Sequence, residues 1–225
     1  MNKSEAYSGV VSRLRDIFLE RGFEPSKNKI SAFVKKTDYG YQRFFIEILD
    51  YNPKQKIEFG SCIKHDKIET IIELIDQKFN LRGFSKVRDT TAWGYPYSLG
   101  SSVNKCFVTK EEDFERCIEF INKHLDKYIS PFYESFCDIR NIDKEINGID
   151  FWKTDWQMPY GLAGLFPFKR TIIAHLCANP RIDDIKAYHM KTWNTLPDCE
   201  QLLLAYDYLF EYLKGFEPLD ISNHE

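Results

Sequence analysis

The sequence has no long hydrophobic run and no strong excess of charge, and each absence limits its function. No apolar segment approaches the roughly 20 residues that a membrane helix needs, and the first residues, MNKSEAYSGVVSRLRDIF, lack the apolar core of a signal peptide. Lys and Arg number 31 against 34 for Asp and Glu, a net charge of −3, which gives no general attraction to nucleic acid or to an anionic membrane. We expect a cytoplasmic protein with neither of these partners.

Motifs that would name a reaction are also missing. There is no G-x-S-x-G nucleophile elbow and no pair of catalytic carboxylates. The stretch Gly161–Gly164 is a G-x-x-G ahead of a predicted helix, but it lacks the lysine and the flanking strand of a nucleotide loop. That helix N-terminus remains a place where an anion could bind. The 6 cysteines occur without an export signal, so we expect thiols and not disulfides. No cofactor is implied.

The stretch from Tyr41 to Ile63 predicts two β-strands and a turn. Phe44, Ile46 and Ile48 alternate on one face of the first strand, and Ile57, Phe59, Ser61 and Ile63 alternate on one face of the second. Asn52-Pro53 interrupts the run, because proline cannot donate to a strand ladder. The short link makes antiparallel pairing the simplest topology.

Helical periodicity covers much of the remaining chain of 225 residues. Predicted helices are Ser4–Arg21, one from Asp66 to near Gly83, one after the Thr109-x-x-Glu112 capping box, one from Ser130-Pro131, and Pro167–Ala178, Ile182–Trp193 and Pro197–Lys214. The last carries a broad apolar stripe: Leu202, Leu203, Tyr206, Leu209, Phe210 and Leu213. We predict an α+β fold in which an antiparallel sheet of about four or five strands carries helices on one face, with a C-terminal helical portion.

Chain boundaries and helix ends follow from local signals. A composition change near Ile149 separates a sheet domain, 1–148, from a helical portion, 149–225, packed on it; a long loop inside one domain is the alternative. Gly22 is placed to end the first helix, with Phe23 folding back on its last turn. Asp66 and Glu69 have the spacing of a capping box.

Residues up to about Lys78 carry a series of short motifs: an opening helix, Arg21-Gly22-Phe23, a strand with Phe33, an aromatic strand with Tyr41-Gln42, and Phe59-Gly60 before another helix. In this order the chain resembles a bacterial family of uncharacterised domains associated with polymorphic-toxin immunity proteins. The resemblance covers about a third of the chain and brings no functional residues with it. It implies a small cytoplasmic binding protein that neutralises a toxin.

An irregular aromatic segment contains the first group of candidate binding residues: Trp152, Asp155, Trp156 and Tyr160. Trp and Tyr are favoured at interfaces because each combines a large apolar body with a polar edge. The alternative is that these rings fill the junction between sheet and helices.

Trp93, Tyr95 and Tyr97 form the second candidate group. In a strand these three rings would share one face. An exposed row could stack on a base, a sugar or a protein partner, whereas a covered row would only pack on the sheet. The negative net charge argues against the nucleic-acid version.

Cys62 and His65 have a C-x-x-H spacing, but a structural zinc site usually needs a second pair. The next close pair, His175 and Cys177, lies two residues apart on a helix, where side chains diverge. We therefore expect no metal site.

The favoured function is that of a non-enzymatic, immunity-type protein that recognises another protein. The rival is a hydrolase-like enzyme that uses His175 or His189 with an acid such as Asp155 or Asp183. A purely structural or assembly role is the third hypothesis. The sequence does not predict an oligomeric state.

Overall fold

A computed structural model describes residues 1–26, 32–81, 90–94, 106–148, 160–162 and 165–219. The helices are α1 (Lys3–Glu20), α2 (Asp66–Phe79), α3 (Asp113–His124), a π-helical turn (Leu125–Ile129), α4 (Ser130–Phe136), α5 (Ile139–Asn147), α6 (Phe166–Leu176), α7 (Ile182–Trp193) and α8 (Glu200–Leu213). The strands are β1 (Glu24–Pro25), β2 (Phe33–Thr37), β3 (Gly40–Tyr51), β4 (Lys54–His65), β5 (Ala92–Gly94), β6 (Cys106–Val108) and β7 (Tyr160–Leu162).

The architecture is α+β, as predicted: an antiparallel sheet with helices packed against it, and the helices α5–α8 towards the C-terminus. Contacts divide the chain into two compact units, Met1–Ile63 with Trp93–Ser135, and Lys64–Ala92 with Phe136–Glu225. The boundary expected near Ile149 falls outside the described residues and stays a prediction. Among the helices described, none has the length and apolar character to cross a bilayer.

The sheet of the first unit has the strand order β1-β2-β3-β4-β5, with β6 pairing β4 as well. Pairing is antiparallel, with Phe33 opposite Phe44 and Ile57 opposite Cys106. The period-two prediction is confirmed, because Phe44, Ile46 and Ile48 in β3 are buried and Glu47 is exposed. Every second side chain from Ile57 to Ile63 in β4 is also buried.

Helix α1 begins and ends on local signals. Asn2 accepts a hydrogen bond from the Glu5 amide, and the Glu5 carboxylate accepts one from the Asn2 amide, which completes a capping box. At the other end Gly22 has φ +78°, and the Phe23 amide donates to the Phe18 carbonyl at 2.9 Å. This is the glycine stop that the sequence predicted.

The interior of the first unit is built on stacked rings. Phe18 of α1 lies parallel to Phe33 with centroids 4.3 Å apart and is 4.6 Å from Phe44. Phe44 is in turn 5.8 Å from Phe59. Offset aromatic pairs of this kind add about 0.5–1.5 kcal/mol each beyond their buried area, and here they attach the helix to the sheet.

Among the predicted details, the end of one helix and the state of one cysteine pair were wrong. Helix α2 ends at Phe79, with Asn80 in the left-handed region (φ 50°), and not near Gly83. The expectation of free thiols also fails for one pair, because Cys106 of β6 and Cys117 of α3 form a disulfide with Cα atoms 5.6 Å apart. A bridge between a strand and the helix that follows it depends on how the two pack together, which sequence spacing does not reveal.

Candidate functional site on the outer face of helix α8

The structure describes few of the residues first considered for binding. Trp93 lies half-buried in β5, and the backbone of Tyr160 lies in β7. The others lie outside the described residues: Tyr95, Tyr97, Trp152, Asp155 and Trp156. Their role in binding therefore stays a prediction.

Cys62 and His65 are each buried. Nε2 of the His65 imidazole is 2.8 Å from the Phe136 carbonyl oxygen, so the ring is engaged by the backbone. Burial lowers the pKa of His65 and favours its neutral form. Across the part of the chain that the structure describes, no group of three or more His, Cys, Asp or Glu side chains is arranged to hold a metal.

The two candidate catalytic histidines contact the interior of the second unit. Nε2 of His175 is 2.8 Å from the Phe216 carbonyl oxygen. His189 is 3% exposed, and its ring centroid lies 5.8 Å from that of Phe166 and 5.9 Å from that of Trp193. Burial, with a smaller effect of Arg170, lowers the pKa of His189 to about 3, so it is neutral near pH 7.

A ring held by a backbone carbonyl, as in His175, or buried among aromatic rings, as in His189, is typical of a structural histidine. Asp183, one proposed partner, is exposed in the first turn of α7. The other, Asp155, lies outside the described residues, so the enzyme reading stays a prediction.

Helix α6 holds an ion pair inside the second unit. Lys169 is 1% exposed, and its Nζ lies 2.9 Å from Oε1 of Glu69 and also donates to the Thr90 carbonyl. Oγ1 of Thr91 donates to the same carboxylate oxygen at 2.8 Å. Glu69, which the sequence placed in a capping box with Asp66, instead has its buried carboxylate in contact with Lys169 and the Thr91 hydroxyl.

The next two residues of α6 are polar and buried as well. Arg170 donates through Nε to Oδ1 of Asn147 at 2.8 Å and through its terminal nitrogen to the Ile146 carbonyl. Thr171 is in hydrogen-bond contact with the hydroxyl of Tyr206 on α8. Burial raises the pKa of Tyr206, so this hydroxyl stays protonated. The pair fixes one side of α8 against α6.

The two sides of α8 differ sharply in exposure. Leu202, Tyr206, Leu209 and Leu213 face inward and are buried, whereas Leu204 is 66% exposed. With 100° between successive residues, Leu204 lies opposite the buried row. The helix thus carries an exposed leucine on the side opposite its buried apolar row.

The α8 outer face is a row of helical side chains four residues apart, Leu204, Tyr208 and Tyr212, with Phe216 following in the turn after the helix; Leu204 is exposed and the three rings are half-buried. The ring centroids of Tyr208 and Tyr212 are 6.2 Å apart with planes at 22°, and those of Tyr212 and Phe216 are 5.0 Å apart. Side chains at this spacing lie one above another along a helix. The result is a narrow aromatic ridge that begins with a leucine.

One edge of this face is closed by the end of α2. Phe79 lies 5.4 Å from Tyr208 between ring centroids, and Nζ of Lys78 is 3.5 Å from the centre of the Tyr208 ring. Gln201 of α8 donates to the Phe79 carbonyl. A cation held over the tyrosine face restrains the ring in its orientation.

The other edge is acidic. Glu200, Asp207 and Glu211 are exposed, and at spacings of seven and four they form one row beside Leu204. Nζ of Lys186 lies 3.3 Å from Asp207, and Nζ of Lys214 lies 2.7 Å from Glu211, yet the two acid side chains remain 56% and 68% exposed. Hydrogen bonding from Lys214 lowers the pKa of Glu211 and keeps it ionised.

Sequence reasoning missed this face although a signal for it was present. The predicted stripe took six apolar positions of the helix, from Leu202 to Leu213, as buried. Tyr208 and Tyr212, which continue the i, i+4 series from Leu204, were not assigned to any face. More apolar residues than one face can bury is a pattern typical of an additional contact surface.

Comparisons with protein-family models, with curated proteins and with solved structures find no match to this chain.

Proposed function

We propose that this chain is a protein-binding protein and that the α8 outer face contacts the partner. The observation that carries the proposal is Leu204, which is 66% exposed at the head of a tyrosine ridge in a helix that already buries its other side. Non-enzymatic recognition of another protein, which the sequence favoured, needs such a surface and no reacting group. The resemblance of the first part of the chain implies a protein toxin as the partner.

The composition of the face fits this role. Tyrosine is enriched where interfaces gain most of their binding energy, because its ring buries a large area with few rotatable bonds. Burial of a leucine side chain contributes about 1.5–3 kcal/mol, so Leu204 alone can change affinity by about tenfold or more. Tyr208, held between Phe79 and Lys78, has little freedom left to lose on binding.

The test compares binding by the wild-type chain with that by Leu204→Glu. Each is used to capture proteins from the native host, and the affinity of any captured partner is then measured with purified components. Since Glu is a good helix former and position 204 is exposed, the substitution should change the free energy of unfolding by no more than about 0.5 kcal/mol. We expect it to weaken partner binding by at least about tenfold.

Leu19→Glu is the matched control. Leu19 is also an exposed leucine on a helix, 44% exposed on α1, but it does not belong to the α8 outer face. The proposal is supported if a partner binds the wild-type chain and Leu19→Glu with equal affinity but binds Leu204→Glu weakly or not at all. A partner bound equally well by all three proteins contradicts it.

The toxin part of the proposal has its own measurement. The chain is co-expressed with the product of a neighbouring gene that arrests growth. Protection by wild type and by Leu19→Glu, with loss of protection by Leu204→Glu, is the expected outcome. Growth arrest that persists with the wild-type chain rules out that product as the partner, and binding data then decide on the remaining proposal.

A further inference from the structure

We infer that the partner segment that binds the α8 outer face is an amphipathic helix with a basic edge. This inference rests on the proposed function and specifies the chemistry of its partner. Two features of the face carry it: its linear shape along the helix axis and the sign of charge along one side.

The shape favours a helix as the occupant. Leu204, Tyr208 and Tyr212 stand in one row, each about 6 Å from the next along the axis, and the exposed side chains of α8 on the acidic side are carboxylates. A helix that lies alongside presents its own i, i+4 and i+7 residues at matching intervals. A partner with a flat apolar surface would cover the flanking carboxylates with apolar atoms and exclude water from them. Burying carboxylates without hydrogen-bond partners costs free energy, so such a partner is disfavoured.

The charge favours lysine or arginine on that helix. Helix α8 carries Glu200, Asp207 and Glu211 and no basic residue. The pair of Lys214 and Glu211 is exposed on both sides, and such pairs contribute only about 0–1 kcal/mol. Asp207 also remains 56% exposed beside Lys186, so both acids are accessible to a partner's cations. A basic edge on the incoming helix therefore meets a row of exposed acidic side chains about 16 Å long.

A second copy of this chain fits less well. If two α8 helices pack face to face and antiparallel about a two-fold axis, the row of Glu200, Asp207 and Glu211 lies beside the same row of the other copy. Like charges placed side by side oppose association. This antiparallel arrangement is therefore disfavoured, and the test below includes a dimer as a contradicting outcome.

Three synthetic helical peptides test the inference with defined chemistry. The first places leucine along one face and lysine along its edges, the second replaces every lysine by glutamate, and the third scrambles the order of the first. Affinity for the full chain is measured by fluorescence anisotropy at low and high salt. We expect the lysine peptide to bind at least about tenfold more tightly than the other two, with the advantage over the glutamate peptide shrinking as salt screens the charges.

Variants locate the binding. Leu204→Glu should lower the affinity for the lysine peptide by at least about tenfold, and Leu19→Glu should leave that affinity unchanged. The double variant Asp207→Asn with Glu211→Gln should abolish most of the preference for the lysine peptide over the glutamate peptide. Equal affinity for the lysine and glutamate peptides would overturn the inference. So would equal weakening by the two leucine variants, or sedimentation showing a dimer that Leu204→Glu dissociates.

The failure of this inference differs from that of the proposed function. If Leu204→Glu no longer binds a host partner, but the contact segment of that partner is acidic or uncharged, the inference of a basic helix is wrong. The proposal that the α8 outer face binds a protein then still stands. If Leu204→Glu changes neither peptide nor partner affinity, both proposals are wrong.

Discussion

The interiors of the two units are stabilised in different ways. Around Phe18, Phe33 and Phe44 the first unit packs ring on ring between a helix and a sheet. The second unit also packs rings, among them Phe168 and Tyr206 with centroids 5.3 Å apart. In addition it buries charges on consecutive residues of one helix, Lys169 and Arg170, which are 1% and 2% exposed. Apolar packing depends on volume and shape, whereas a buried charge depends on its specific partners.

The difference predicts how each interior responds to damage. A ring replaced by a smaller apolar side chain loses contacts in proportion to the volume removed. A buried ion that loses its partner keeps the full cost of desolvation. The second unit should therefore be the more sensitive to single substitutions and to pH.

The largest effect is expected from Lys169→Met, which removes the cation from Glu69. The carboxylate then stays buried with the Thr91 hydroxyl as its described partner, and breaking a buried pair in this way destabilises by about 3–5 kcal/mol. Urea unfolding followed by circular dichroism measures the loss. Hydrogen exchange of α6 amides reports whether the loss is local to that helix.

The double variant Lys169→Met with Glu69→Gln is the control for this prediction. Glutamine is uncharged but keeps an oxygen that can accept from Thr91. It should therefore recover at least about 1 kcal/mol relative to Lys169→Met alone. A double variant no more stable than the single one would show that lost packing of the lysine stem, and not the stranded charge, causes the effect.

The sequence predicted the apolar packing of the first unit better than the buried charges of the second, because the first depends on local patterns and the second on specific distant partners. The strands β3 and β4 were predictable because Phe44, Ile46 and Ile48 recur at every second position, a local pattern that places them on one face of a strand. Helix α6 was predicted as an element, but the burial of Lys169 was not, since charged residues on a helix normally mark its solvent side. Its partner Glu69 lies in a different helix, and nothing local connects the two.

The candidate site follows the same rule. The four-residue spacing of Leu204, Tyr208 and Tyr212 could be seen in the sequence, but which side of the helix faces inward depends on tertiary contacts such as that of Tyr206 with Thr171. The acidic row is likewise local, while Lys78 reaches Tyr208 from another helix. Sequence reasoning could therefore have listed the residues of the face without knowing that Leu204 is exposed and the two tyrosines are half-buried.

An intermediate effect is expected from pH, through His189. Its pKa is about 3 in the folded protein and about 6.5 when unfolded, so the unfolded chain binds more protons between these values. The stability that comes from keeping this ring neutral is complete above pH 6.5 and decreases as the pH falls towards 3. At pH 5 the loss relative to pH 7 should be about 2 kcal/mol.

His189→Leu tests the assignment of that pH dependence. The variant has its own stability at pH 7, so the quantity compared is the change between pH 7 and pH 5 in urea unfolding. That change should be about 2 kcal/mol smaller in the variant than in wild type. His65, whose pKa is also lowered, is retained in both proteins and cancels in the comparison. Identical pH dependence of variant and wild type would mean that His189 is not the group responsible.

The smallest effect is expected from Phe44→Leu in the first unit. Phe44 contacts the rings of Phe18 and Phe59, with centroids 4.6 and 5.8 Å away, and is fully buried. Leucine keeps most of the volume and all of the apolar character, so the loss should be about 1–2 kcal/mol. Urea unfolding measures this loss of unfolding free energy, and hydrogen exchange of the β3 amides gives its location.

Because the Phe44→Leu substitution removes packing and no charge, the loss of unfolding free energy should be the same at pH 5 and pH 7. A cost above about 3 kcal/mol, or one that changes with pH, would mean that the ring-packed interior tolerates damage no better than the charged one, and the contrast between the two units would not hold.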